Sequence, residues 1–180
     1  IDAALPGTPE ESKAAVRYNR ALALYGLKSF DGALEEVDRV LALNAQQPGA
    51  HWLKGAILDS LGKKPEALGE LQKEIDNPQS TPQFKFNSYK ALGVINYDLG
   101  HREAEIGATE SRNGNKDAAS AAAEREMRYR EAAIAAFEKV IELDSSQSAA
   151  YSYLTDLYIA TGRQDKAAEI EAKSKAVGAE

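Results

Sequence analysis

Apolar residues recur at three- and four-residue steps along most of this chain, the period of amphipathic helices. In one clear stretch, Trp52, Leu53, Ala56, Ile57 and Leu61 form a stripe and Gly62 closes it. Pro65 stands where the next helix would begin, a place where its missing N–H costs nothing. Ala67, Leu68, Leu71 and Ile75 then make a facing stripe, so the segment reads as two helices joined by a tight turn. The pattern returns. Ala33 in FDGALEEVDRVLAL, Ala67 in KPEALGELQKEI, Ala133 in YREAAIAAFEKVIEL and Ala167 in RQDKAAEIEAKS open four similar segments. The first and last gaps are 34 residues and the middle one is 66, one further period with 32 residues to spare. Gly62, Gly100 and Gly162 are expected to end the first helix of their units. Small residues face each other across each pair, Ala21 with Ala33, Gly55 with Ala67, Gly93 with Ala133 and Thr155 with Ala167, which lets the two backbones approach closely.

These residues resemble the tetratricopeptide repeat, whose 34-residue helix–turn–helix unit follows W-x2-L-G-x2-Y with a later A-x3-F. The third unit has Tyr89-x2-Leu92-Gly93 and Ala133-x3-Phe137, and the fourth has Tyr151-x2-Leu154-Thr155-x2-Tyr158. The second keeps Gly55 and Ala67-x3-Leu71; the first keeps Ala21, Leu24 and Ala33-x3-Val37 but carries Arg17 and Arg20 at places usually apolar. Phased this way, residues 1–13 form an N-terminal tail and residues 14–180 one domain, with units at 14–47, 48–81, 86–147 and 148–180. The resemblance implies an all-α, right-handed α-solenoid in which neighbouring helix pairs stack.

Four of the 32 extra residues fall in the proline-bracketed loop NPQSTPQ at 77–83. The other 28, residues 101–128, are inserted within the third unit. Their midpoint lies between Gly114 and Asn115, inside the turn signal Arg112, Asn113, Gly114, Asn115. Two helices each lengthened by 14 residues, about 21 Å, would meet there as a projecting hairpin with its tip at 112–115. Ala104, Gly107, Ala108 and Ser111 on the outgoing arm would face Ala118, Ala119, Ala122 and Ala123 on the return, with Glu103, Glu105, Glu110, Glu124, Arg125, Glu126 and Arg128 keeping the outer faces wet.

Composition narrows the chemistry. The net charge is -6 and the basic residues are scattered, which leaves no footprint for phosphate backbones, so nucleic acid is not an expected partner. No apolar run is long enough for membrane insertion. There is no cysteine, so no thiolate nucleophile, thiolate metal site or disulfide. The two histidines, His51 and His101, read as solvated or partly packed, and carboxylate pairs such as Glu35 with Glu36 read as solvated helix faces. No phosphate loop, nucleophile elbow, zinc-protease or calcium motif occurs, so neither catalysis nor a cofactor is expected. The chain starts at Ile1 rather than Met; this and the absence of cysteine lean the expectation towards export. Thr8, Ser80, Thr81 and Ser145 fall in loops open to O-linked sugars, without a positive signal for them.

The resemblance implies a partner-binding concave face lined by the first helix of each unit. Helical register assigns to it Tyr18, Leu22, Tyr25, Trp52, Ala56, Asp59, Lys90, Val94, Tyr97, Ser152, Asp156 and Ile159, an aromatic and mildly acidic groove. Tyr18 and Leu22 stand where some relatives place the Lys and Asn that grip a terminal carboxylate, so such a clamp is not expected. The leading expectation is a scaffold holding a protein or peptide partner in this groove. The alternative is a structural subunit stacking head to tail with other copies of itself into a filament or oligomer.

Overall fold

The computed structural model of the chain describes residues 10–177, with side chains from Lys13 onward. Thr8 and most of the expected N-terminal tail lie outside that range. Contacts divide the chain into two units, residues 1–88 and 89–180. Among the described residues the secondary structure is helix and turn alone.

The first unit holds α1 (Glu10–Gly26), α2 (Phe30–Leu43), α3 (Ala50–Ser60), α4 (Lys64–Asp76) and the start of α5 (Pro82–Arg112). Helix α1 therefore begins four residues ahead of the expected first unit. Its core holds the expected Ala21, Ala33, Val37, Leu53 and Ile57 together with Val40 and Ala50, each fully buried. The second unit holds the rest of α5, then α6 (Lys116–Leu143), α7 (Ser148–Ala160) and α8 (Gln164–Val177). Ala133, Phe137, Val140, Leu154, Leu157 and Tyr158 form its interior.

In the second and third units the small-residue position works through the bulky residue four places beyond the alanine. A Cβ built on Gly55 would lie 2.7 Å from Leu71 Cγ, and one on Gly93 2.7 Å from Phe137 Cε1. The glycine and the A-x3-F end of the repeat are thus one device, since the missing side chain is the space that Leu71 or Phe137 fills.

One turn is used four times. Lys28, Gly62, Gly114 and Gly162 have φ of 59°, 75°, 80° and 75°. In each case the following amide donates back across six residues: Ser29 to the Leu24 carbonyl, Lys63 to Leu58, Asn115 to Glu110 and Arg163 to Tyr158. This is the Schellman closure of a helix, which needs a left-handed residue. Lys28 occupies without glycine's freedom a conformation costing an L-residue about 1–2 kcal/mol. Lys28→Gly is expected to stabilise the first unit by about 0.5–1 kcal/mol, seen as a higher urea midpoint; an unchanged or lower midpoint would refute it.

The third occurrence corrects the sequence reading. Gly100 does not end a helix; it is buried inside α5, with Arg130 Cγ 3.3 Å from where its Cβ would stand. The turn comes instead at Gly114, and α5 and α6 run for 31 and 28 residues. Their pairing is antiparallel throughout, Gly93 against Phe137, Gly100 against Arg130, Glu103 against Arg125 and Gly107 against Ala122. The arms meet along a line slightly rotated from the expected face. Ala122 is buried and Ala104, Gly107 and Ala119 are half-buried, but Ala108, Ser111, Ala118 and Ala123 are exposed. Glu103 and Arg125 are not outer-face charges, because they pair across the arms at 3.0 Å. Residues 112–115 at the tip are all exposed.

A second correction concerns Glu36. It is 3% exposed rather than solvated, and its carboxylate meets Arg17 at 3.0 Å, Arg20 at 3.5 Å and Arg39 at 3.0 Å. The two arginines that make the first unit look degenerate are the partners of this buried acid; a buried carboxylate without them would be costly.

Candidate functional site

Each half of the expected groove lies in a different environment. In the first unit its residues are largely engaged in packing. Tyr18 is half-buried, and its hydroxyl is enclosed with no hydrogen-bond partner among the described residues. Burial, reinforced by the negative charge of Glu74, pushes that phenol up to about 12. Leu22, Tyr25 and Trp52 pack against the core. Tyr25 also meets Phe30 at 5.9 Å between ring centroids, and Trp52 meets Phe84 at 5.8 Å. Ala56 is half-buried, and Asp59 is held by Lys64 at 2.9 Å. Nearby, His51 Nδ1 lies 2.6 Å from Glu70 Oε2. Burial pushes the Glu70 carboxyl up, but the hydrogen bonds from His51 and Lys73 and the charges of Lys54 and Lys73 outweigh it and hold the group at about 2.

In the second unit the same register opens onto solvent. The stripe Lys90, Val94, Tyr97 on α5 lies beside Ser152, Asp156, Ile159 on α7. Lys90 donates to the Gln147 amide oxygen at 3.2 Å, and the Tyr97 hydroxyl lies 3.5 Å from an Asp156 oxygen. Lys90, Ser152, Asp156 and Ile159 are exposed, Ile159 by 53%, and Val94 and Tyr97 are half-buried. Three adjoining hollows follow this face. One of about 230 Å3 is walled by Val94, Phe137, Val140 and Tyr153; one of about 320 Å3 by Tyr97, His101, Ile159 and Leu157; and one of about 290 Å3 by Ser152, Asp156, Thr155 and Lys175. An aromatic run connects the first two. Phe137 stacks on Tyr153 at 4.7 Å, Tyr153 meets Tyr97 edge-on at 4.8 Å, and Tyr97 meets His101 edge-on at 4.5 Å. Burial raises the Tyr97 phenol, with the charge of Asp156 adding to it.

Sequence reasoning missed His101 and Arg130. His101 stands four residues after Tyr97 and continues the same stripe; placing the helix end at Gly100 cut it off. Arg130 comes from the return arm and enters by tertiary packing, with its guanidinium donating to the Ala160 carbonyl at 2.8 Å and pairing with Glu126 at 2.6 Å. Nothing at this face is arranged as a nucleophile with its base. Among the described residues no three His, Asp or Glu side chains are placed to hold a metal. No described helix is long and apolar enough to cross a membrane.

The comparisons agree with the repeat pattern. The tetratricopeptide repeat family model matches residues 12–82. No match is found among curated proteins. Among solved structures, the chain is similar to a MamA RS-1 double mutant, at 19% identity and a TM-score of 0.64 over 92% of this chain and 75% of that one. It is likewise similar to MamA in a second structure, at 17% identity and 0.64 over 92% and 78%. TTC0263, described as a thermophilic TPR protein in Thermus thermophilus, gives 21% and 0.61 over 91% and 74%. At such identities the likeness is one of fold, the all-α helical-repeat solenoid. The family match places tetratricopeptide repeats in residues 12–82, and the fold likeness extends over most of the chain.

Proposed function

We propose that this chain is a non-catalytic interaction scaffold that holds a segment of a partner protein along the face shared by α5 and α7. The supporting observation is that six residues chosen by repeat register line adjoining hollows there, four of them exposed and Val94 and Tyr97 half-buried. Half-exposed aromatic rings flanked by polar groups are the surface type that anchors protein contacts. The first unit's share of the expected groove, Tyr18 through Asp59, supplies packing more than open surface. Tetratricopeptide repeats, which the family model places in residues 12–82, generally serve as binding scaffolds.

The test is site-specific photo-crosslinking in the source cell, with the photoreactive residue placed at Ser152, at Ile159 or, as a control, at the exposed Ala135 on α6. Crosslinks to a second polypeptide are expected at 152 and 159 and not at 135. Equal yield at 135 would overturn the groove. Crosslinks confined to other copies of the chain would replace it with head-to-tail stacking.

A further inference from the structure

The middle hollow of the second unit is a small cavity, near the lower end of ~300–1,000 Å3 for ligand pockets and suited to one long side chain. Its walls are apolar and aromatic, formed by the Tyr97 and His101 rings with Leu157, Ile159 and Ala160. Two charged groups reach it, and they differ in how far their hydrogen-bonding capacity is already used. Arg130 is satisfied: its side chain is 15% exposed, Glu126 neutralises its charge at 2.6 Å and the Ala160 carbonyl accepts from it at 2.8 Å. Asp156 is not. Its one described partner is the Tyr97 hydroxyl at 3.5 Å, the long limit of a hydrogen bond, and it forms no ion pair among the described residues. Lys175 lines the hollow on the far side of Asp156 together with Glu171, beyond ion-pair distance of that carboxylate.

The charged group without an ion pair among the described residues is thus an exposed anion at the mouth of an apolar cavity, on a chain of net charge -6. We propose that this hollow is the specificity pocket of the groove and takes a lysine or arginine side chain of the partner segment. The aliphatic stem lies against Ile159 and Leu157, and the charged head meets Asp156 beside the Tyr97 ring. Lysine and arginine are the side chains that combine a long apolar stem with a cationic tip. An aromatic ring within about 6 Å of a cation adds attraction that an exposed ion pair lacks. This assignment rests on the groove reading above and specifies the chemistry of its ligand.

The probes are four capped peptides, Ac-Ala-Leu-X-Leu-Ala-NH2, in which X is arginine, lysine, norleucine or glutamate, titrated into the isotope-labelled full chain and followed by amide chemical shifts. The arginine and lysine peptides are expected to shift resonances of Tyr97, Asp156, Ile159 and Ala160 and to bind about five- to tenfold more tightly than the norleucine peptide. Asp156→Asn, at an exposed site, is expected to remove that advantage while leaving the thermal melt unchanged, and salt is expected to weaken the basic peptides alone. Equal affinity of the norleucine or glutamate peptide at the same resonances overturns the cation pocket and leaves the groove standing. No shift on α5 or α7 with any of the four peptides overturns both.

Discussion

Replacing Gly49 with alanine destabilises the first unit by about 2–5 kcal/mol. Two independent costs combine to that figure. Gly49 precedes α3 with φ of 81°, a left-handed conformation in which an L-residue loses about 1–2 kcal/mol. Its added Cβ would also lie 2.5 Å from Phe84 Cζ and 2.6 Å from the Tyr18 hydroxyl oxygen. Neither neighbour can withdraw freely, since Phe84 lies against Trp52 and Tyr18 packs on the core. Overpacking of this kind costs about 1–3 kcal/mol. The expected readout is faster hydrogen exchange of α3 amides together with a lower urea midpoint. Adding Tyr18→Phe separates the two terms. Removing the unpartnered hydroxyl gives the new methyl space and recovers about 1 kcal/mol, but cannot relieve the backbone. A single variant within about 0.5 kcal/mol of the parent would show that the loop moves aside without strain.

Gly49 illustrates what was and was not legible in the sequence. The helix pairs were readable because each rests on local periodicity. A 34-residue count locates Gly55, Gly93 and the alanines that face them without knowledge of any distant contact. What escaped depended on groups many residues away. Glu36 looks like half of a solvated pair until Arg17 and Arg20 arrive from α1, and Glu103 looks like an outer-face charge until Arg125 arrives from the returning arm. Gly100 failed differently. The period marks it as a stop, but a helix extended by 14 residues turns through nearly four full turns of 3.6, so the inner stripe continues in almost the same direction. The helix passes through Gly100 because Gly114 offers the next left-handed closure, with Asn115 completing it. His101, and with it one wall of the middle hollow, lay just beyond the presumed helix end.

Glu74 carries the second large effect, and nothing in its surroundings along the chain marks it. It sits in KPEALGELQKEID as one of four acids on α4, yet it is fully buried. Its carboxylate accepts the Gly49 amide at 2.9 Å and the Trp52 amide at 3.3 Å, as well as the Ser80 hydroxyl. Those two amides open α3, whose N-cap is a glycine with no side chain to offer. Glu74 therefore caps α3 from another helix, with its charge at the positive end of the helix dipole. Glu74→Ala is expected to cost about 3–5 kcal/mol, because it leaves buried donors unsatisfied at about 1–3 kcal/mol each and opens a small cavity. Glu74→Gln keeps one acceptor oxygen and loses the charge, so about half that loss is expected. In hydrogen exchange, the Gly49 and Trp52 amides should lose protection first. The two large effects share the Gly49 amide, so Gly49→Ala combined with Glu74→Ala should fall short of the sum of the single losses by about 1 kcal/mol. Full additivity, or an alanine variant no less stable than the glutamine one, would mean that α3 is capped by water and that the buried carboxylate stabilises α4 alone.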